Sequence, residues 1–204
     1  MSSPRLSTAI FASLTHPPRP WHLTRILQSD NPLDLHGELR GTASFSPLPA
    51  APSPTATPTT DIQYHEEGEM PRPPGMSTAV GLRFTKNYIW RLNDAGRISV
   101  WFAKVANDQE PDYLFHEFDF DTPGKTSAVE DTVTPPTPPD VAAEENGAVV
   151  VTARGNHLCI NDLYRTAYAF RVRPDGTVLS WASRHVVKGP KKNQDIVNLY
   201  SPSV

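Results

Sequence analysis

A two-residue hydrophobic alternation runs through most of this chain. Val80, Leu82, Phe84, Tyr88, Trp90 and Leu92 fall on one parity while Arg83, Thr85, Asn87 and Arg91 fall on the other, the pattern of a half-buried strand. Asn93-Asp94-Ala95-Gly96 then supplies turn chemistry, and Ile98, Val100 and Phe102 resume the alternation, which predicts a β-hairpin. The same period predicts strands near 20–28, 37–45, 60–67, 111–120, 148–160, 162–173, 177–187 and 195–201, with a second hairpin at Pro174-Asp175-Gly176. Only Ser7 to Leu14 has helical spacing, with Ile10, Phe11 and Leu14 on one face and Ser7 as the expected cap. Consecutive strands joined by tight turns, without crossover helices, argue for a meander, and a long meander removes its raw edges by closing. The expected fold is all-β: one antiparallel up-and-down barrel of about eight to ten strands with a short N-terminal helix.

Proline marks where that sheet is interrupted. Of 22 prolines, 16 fall within 17–20, 47–58, 71–74 and 123–139. The segments 46–60 and 121–147 carry few large apolar side chains, too few to offset the entropy of ordering them, and are expected to be disordered insertions in a single domain spanning 1–204.

Charge excludes some functions. With 19 Lys+Arg against 22 Asp+Glu, the chain lacks the basic surplus a nucleic-acid partner demands. The single cysteine, Cys159, cannot form an internal disulfide, and no run approaches the roughly 18 apolar residues of a membrane span. A cytoplasmic protein without a membrane span is expected, its oligomeric state open.

A barrel of this size can enclose one small ligand, so polar residues on inward parities carry the functional information. His116 shares a parity with Phe118 and Phe120, and Phe115 with Glu117 and Asp119; the first set is expected to face inward. His157 and Cys159 share a face, as do Asp162, Tyr164, Thr166, Tyr168 and Phe170. In Tyr64-His65-Glu66-Glu67 either parity could point inward. Four chemistries remain open. An acid–base cluster would use His116, His157, Asp162 and Glu66, with Tyr164 as partner. A nucleophile reading takes Cys159 with His157 or His116 as base and Asp162 as orienter. A metal reading takes His116, His157, Cys159 and Asp162 as ligands, and a haem could hang from one histidine; no cofactor is assigned. A binding reading takes Phe45, Tyr64, Phe102, Phe118, Tyr168 and Trp181 as wall, with His116, His157 and Tyr164 as orienting groups and Cys159 nearby. The stretch Trp181 to Lys192 adds a candidate anion site at the barrel mouth from Arg184, Lys188, Lys191 and Lys192.

The ordered pieces also carry a resemblance. Phe11-x-Ser13-Leu14, Trp21-x-Leu23-x-Arg25-Ile26, Gly41-x-Ala43-x-Phe45, Tyr64-x-Glu66-Glu67-Gly68, Phe115-His116-x-Phe118, His157-x-Cys159-x-x-Asp162-x-Tyr164, and Trp181 followed by Gly189-Pro190-Lys191-Lys192 resemble, in order and spacing, a bacterial and fungal family of unknown function, DUF6314. The resemblance implies a lipocalin- or calycin-like barrel in which Trp21 closes one end, with no activity attached. Pro18-Arg19-Pro20 stands where the family pattern has glycine before the tryptophan, and Lys192-Asn193 departs from its Lys-Asp-Tyr ending. The expected function is the binding of a small, largely apolar molecule within the cavity; the alternatives are an isomerase, cyclase or hydrolase there, or a haem- or metal-binding barrel.

Overall fold

A computed structural model describes residues 3–16, 19–49, 59–70, 83–121, 133–141, 147–159, 161–190 and 192–203. One helix, α1 (Ser3–Thr15), precedes ten strands: β1 (Trp21–Ser29), β2 (Gly37–Pro47), β3 (Thr60–Glu69), β4 (Arg83–Leu92), β5 (Ile98–Ala103), β6 (Pro111–Phe120), β7 (Val149–Cys159), β8 (Asp162–Val172), β9 (Val178–Lys188) and β10 (Asn193–Pro202). Each strand pairs antiparallel with its sequence neighbour, and β1 pairs with β10 from Trp21↔Pro202 to Ser29↔Gln194, so the meander closes. Closure leaves every strand with two neighbours, the outcome the edge argument requires.

The two predicted hairpin turns form. Arg173 N–H donates to Thr177 O and Gly176 N–H to Arg173 O, with Gly176 at φ +93°, a conformation glycine adopts without steric penalty. The helix starts earlier than expected, so Ser7 lies buried inside it rather than capping it. It plugs one end of the barrel: Ile10, Phe11 and Leu14 are buried in the same core as Trp21, Phe45, Phe120, Phe170 and Val178. Ser13 Oγ accepts a hydrogen bond of 2.8 Å from Val178 N–H and ties the plug to β9. Trp21 sits at this closed end, edge-on to Trp181, with the Arg19 guanidinium 4.6 Å from its ring centroid.

Two local departures shape the interior. Val100 pairs with His116 but Trp101 pairs with Leu114, so Phe115 is an extra residue and β6 carries a bulge; a bulge re-aims the side chains that follow it. The β6–β7 ladder is short, with only Asp119↔Arg154 and Phe120↔Ala153 in register, against a ladder running from Val149↔Val172 to Cys159↔Asp162 between β7 and β8. Gly155 lies where these strands touch: a Cβ there would stand 1.7 Å from Glu117 O.

Part of the second proline-rich insertion is held against the barrel. Val133 and Pro138 are buried, Ser180 Oγ donates to Pro139 O at 2.5 Å, and Arg171 reaches the Pro138 and Pro139 carbonyls and Asp140. The carbonyls of Pro138 and Pro139, two residues that carry no N–H, thus serve as acceptors for the outer face of β8 and β9. Residues 50–58, 122–132 and 142–146, where most of the expected disorder falls, lie outside the described residues. No described helix is long and apolar enough to cross a membrane.

Candidate functional site

A cavity of about 740 Å³ occupies the end of the barrel opposite α1. Trp181 and Tyr200 form part of its floor, stacked at 3.5 Å and 3° from parallel, with Trp90, Tyr64 and Tyr168 beside them. Phe84, Tyr88, Phe102, Phe115 and Tyr164 build the upper wall, and Leu27, Leu39, Val187 and Ile196 complete the apolar lining. Alternation puts these side chains inside: residues 84, 86, 88 and 90 of β4 share one face, as do 181, 183, 185 and 187 of β9.

Deep on one side lies a buried polar network. Arg25 Nη2 donates to Glu66 Oε2 at 2.7 Å, Arg25 Nε to Asn198 Oδ1 at 2.5 Å, and Asn198 Nδ2 to Ser183 Oγ at 2.9 Å. Tyr64 Oη donates to the same Glu66 oxygen at 2.5 Å, which leaves Tyr200 as donor in the 2.9 Å bond between the two phenols. Burial disfavours the Arg25 charge, yet Glu66, Tyr200 and Tyr64 together outweigh it and hold the guanidinium's pKa above its ordinary value. Burial first, then neighbouring groups, pushes the Tyr64 phenol well up.

The opposite wall carries two imidazoles. His116 Nε2 shares a 2.7 Å hydrogen bond with Tyr168 Oη, and His185 Nδ1 lies 3.3 Å from Thr166 Oγ1. Their ring centroids are 5.5 Å apart. Burial, then the proximity of His185 and His157, holds His116 well below the usual histidine range; burial, then Arg25 and Lys86, pushes His185 down to about 3. Both rings are therefore neutral at neutral pH. Lys86 lines the cavity and is an exposed residue; partial burial, followed by Arg25, lowers its pKa.

Of the residues singled out in the sequence, Glu66, His116, Tyr64, Tyr164, Tyr168 and Trp181 meet on this cavity, as does Phe102. The undecided parity of β3 resolves with Tyr64 and Glu66 inward, while His65 bonds Asn87. Phe118 and Phe45 lie in the packed core, Phe118 stacked on Tyr168 at 4.2 Å. His157 and Asp162 are not among the cavity-lining residues; His157 is half-buried, and Asp162 packs against Gly189 at the start of β8. The side chains of Cys159 and Lys191 lie outside the described residues. Among the described residues no three His, Cys, Asp or Glu side chains converge as a metal site. In the basic stretch, Arg184 is paired with Asp195 and Lys192 Nζ donates to Tyr164 Oη at 2.9 Å, so neither cation stands uncommitted.

Sequence reasoning passed over Arg25, Lys86, Tyr88, Phe115, His185, Asn198 and Tyr200. For Lys86 a signal existed: it interrupts the apolar parity between Phe84 and Tyr88. Phe115 had none, because the bulge that turns it inward reverses the parity assigned to it.

The geometry defines a closed, up-and-down antiparallel β-barrel, plugged at one end by a helix and carrying an aromatic-walled cavity at the other. Residues 19–202 match the family model described as "Family of unknown function (DUF6314)", and the chain belongs to that family. No curated protein and no solved structure matches the chain.

Proposed function

We propose that this protein binds a small, largely apolar molecule inside the barrel. The observation that carries the reading is the cavity itself, since 740 Å³ falls within the range of small-molecule sites, roughly 300–1,000 Å³, and its lining has the usual mix of aromatic walls and few polar groups. The test is native mass spectrometry of freshly purified protein together with titration of apolar probes, read by the fluorescence of Trp90 and Trp181, which face the cavity. A retained or titratable ligand, bound more weakly by Val187→Phe, whose ring intrudes into the chamber, is the expected result. A protein that carries no bound molecule and binds no apolar probe would sink the proposal.

A catalytic alternative has one specific support: His116 and Tyr168 share a 2.7 Å hydrogen bond in the cavity wall, and a neutral imidazole next to a phenol can relay a proton. Glu66 is committed to Arg25 and Tyr64, which leaves His116 and Tyr168 as the acid–base pair, His185 standing beside them. A retained molecule whose mass changes with time on the wild-type protein, but not on His116→Gln, would favour an enzyme over a carrier.

A further inference from the structure

Four charged side chains line the cavity: Arg25, Glu66, Asp34 and Lys86. Arg25 and Glu66 neutralise each other at 2.7 Å. Asp34, at the rim in the β1–β2 connection, is held by neutral donors: Ser29 Oγ at 2.6 Å, Asn31 Nδ2 at 3.2 Å and Gln194 Nε2 at 2.9 Å. Lys86 has no carboxylate within 4 Å among the described residues. Lys86 is thus a cation without a paired carboxylate, set on a wall of rings, while Asp34 is an anion held by neutral donors at the rim. An ammonium set beside such rings gains most from an anion that arrives with its own apolar cover, because such a ligand displaces water from both the charge and the rings.

The surroundings of Lys86 say what shape that anion has. Phe84 and Tyr88 flank it on β4, and Tyr88 stacks on Phe115 at 5.7 Å and meets Phe102 at 5.3 Å. This ring cluster continues through Phe115 to His185 at 5.9 Å and Tyr164 at 5.7 Å. Both histidines facing the space are neutral and add no charge. One point cation beside a continuous aromatic band matches a single negative charge on an apolar body; a dianionic phosphate would ask for a second uncommitted cation.

Building on the binding reading above, we propose that the occupant is a monoanionic amphiphile, a carboxylate with an aromatic or aliphatic body, and that Lys86 supplies its counter-charge. Lys86 stands at the cavity surface and takes no part in the buried network, so its replacement leaves the fold intact. The test uses two matched pairs on full-length protein: dodecanoate against 1-dodecanol, and 2-naphthoate against 2-naphthamide, with dodecylammonium as the opposite charge, titrated by calorimetry and tryptophan fluorescence. The expected result is a preference of about tenfold or more for the carboxylate in at least one pair, as a charge-assisted contact gives, with dodecylammonium weakest. Lys86→Gln should abolish that preference while changing affinity for the neutral probe by less than about threefold, and Lys86→Arg should retain it. Equal affinity for the carboxylate and neutral members of both pairs, or a preference that survives in Lys86→Gln, overturns the assignment while leaving the binding reading standing. If none of the five probes binds, the binding reading falls and this assignment with it.

Discussion

The Arg25 guanidinium and the Glu66 carboxylate meet at 2.7 Å inside the barrel, Glu66 fully buried and Arg25 nearly so. Two charges taken out of water hold together only as a pair, and removing one leaves the other uncompensated. Arg25→Met or Glu66→Gln alone should therefore destabilise the fold by about 3–5 kcal/mol, whereas the double variant should recover much of that loss. Urea unfolding midpoints of the three variants check it; single substitutions within about 1 kcal/mol of wild type would contradict the picture.

The imidazoles of His116 and His185 should make the protein acid-labile. Both pKa values are depressed in the folded state, so below the ordinary value near 6.5 the unfolded chain binds protons that the fold does not. Stability is fully present above that pH and falls as pH drops toward 3, by up to about 1.4 kcal/mol per pH unit for each histidine. His185→Phe keeps a ring on Phe115 and should flatten the decline between pH 6.5 and 4 in denaturation experiments. An unchanged slope would show that His185 is not held neutral.

Gly155 should tolerate no side chain. The backbone of Glu117 occupies the space of its Cβ, and backbone cannot move aside as a flexible side chain would. Gly155→Ala should lower stability by about 2 kcal/mol or more and loosen the short β6–β7 contact. Hydrogen exchange at Phe120 and Arg154 would register that opening, and a variant as protected as wild type would refute it.

The floor separates packing from hydrogen bonding. Tyr200→Phe keeps the stack on Trp181 but deletes the phenol bond to Tyr64, an expected loss of about 1 kcal/mol. Trp181→Ala removes the stack and its contacts with Trp90 and Phe45, and about 3–5 kcal/mol with them. Thermal melts that rank the two variants in the opposite order would show that the phenol network, not ring packing, holds the floor.

Strand positions were legible because alternation is a local property: the apolar parity of β4 or β9 needs no knowledge of the neighbouring strand. The site was legible only in part. Glu66, His116 and Tyr168 stood out as polar residues on apolar parities, but the Arg25–Glu66 pair joins β1 to β3 across 41 positions of chain, and nothing in either segment names the other. A uniform period of two through β6 places Phe115 outward, and the bulge breaks that period.

Alternation and turn chemistry alone therefore determined that this chain forms an antiparallel meander, since each strand's two faces and each tight turn are set within a few residues. Tertiary structure decided where the cavity lies, which cation in it has no anion, and how far the helix extends, because these depend on ring closure and on side chains brought together from distant strands.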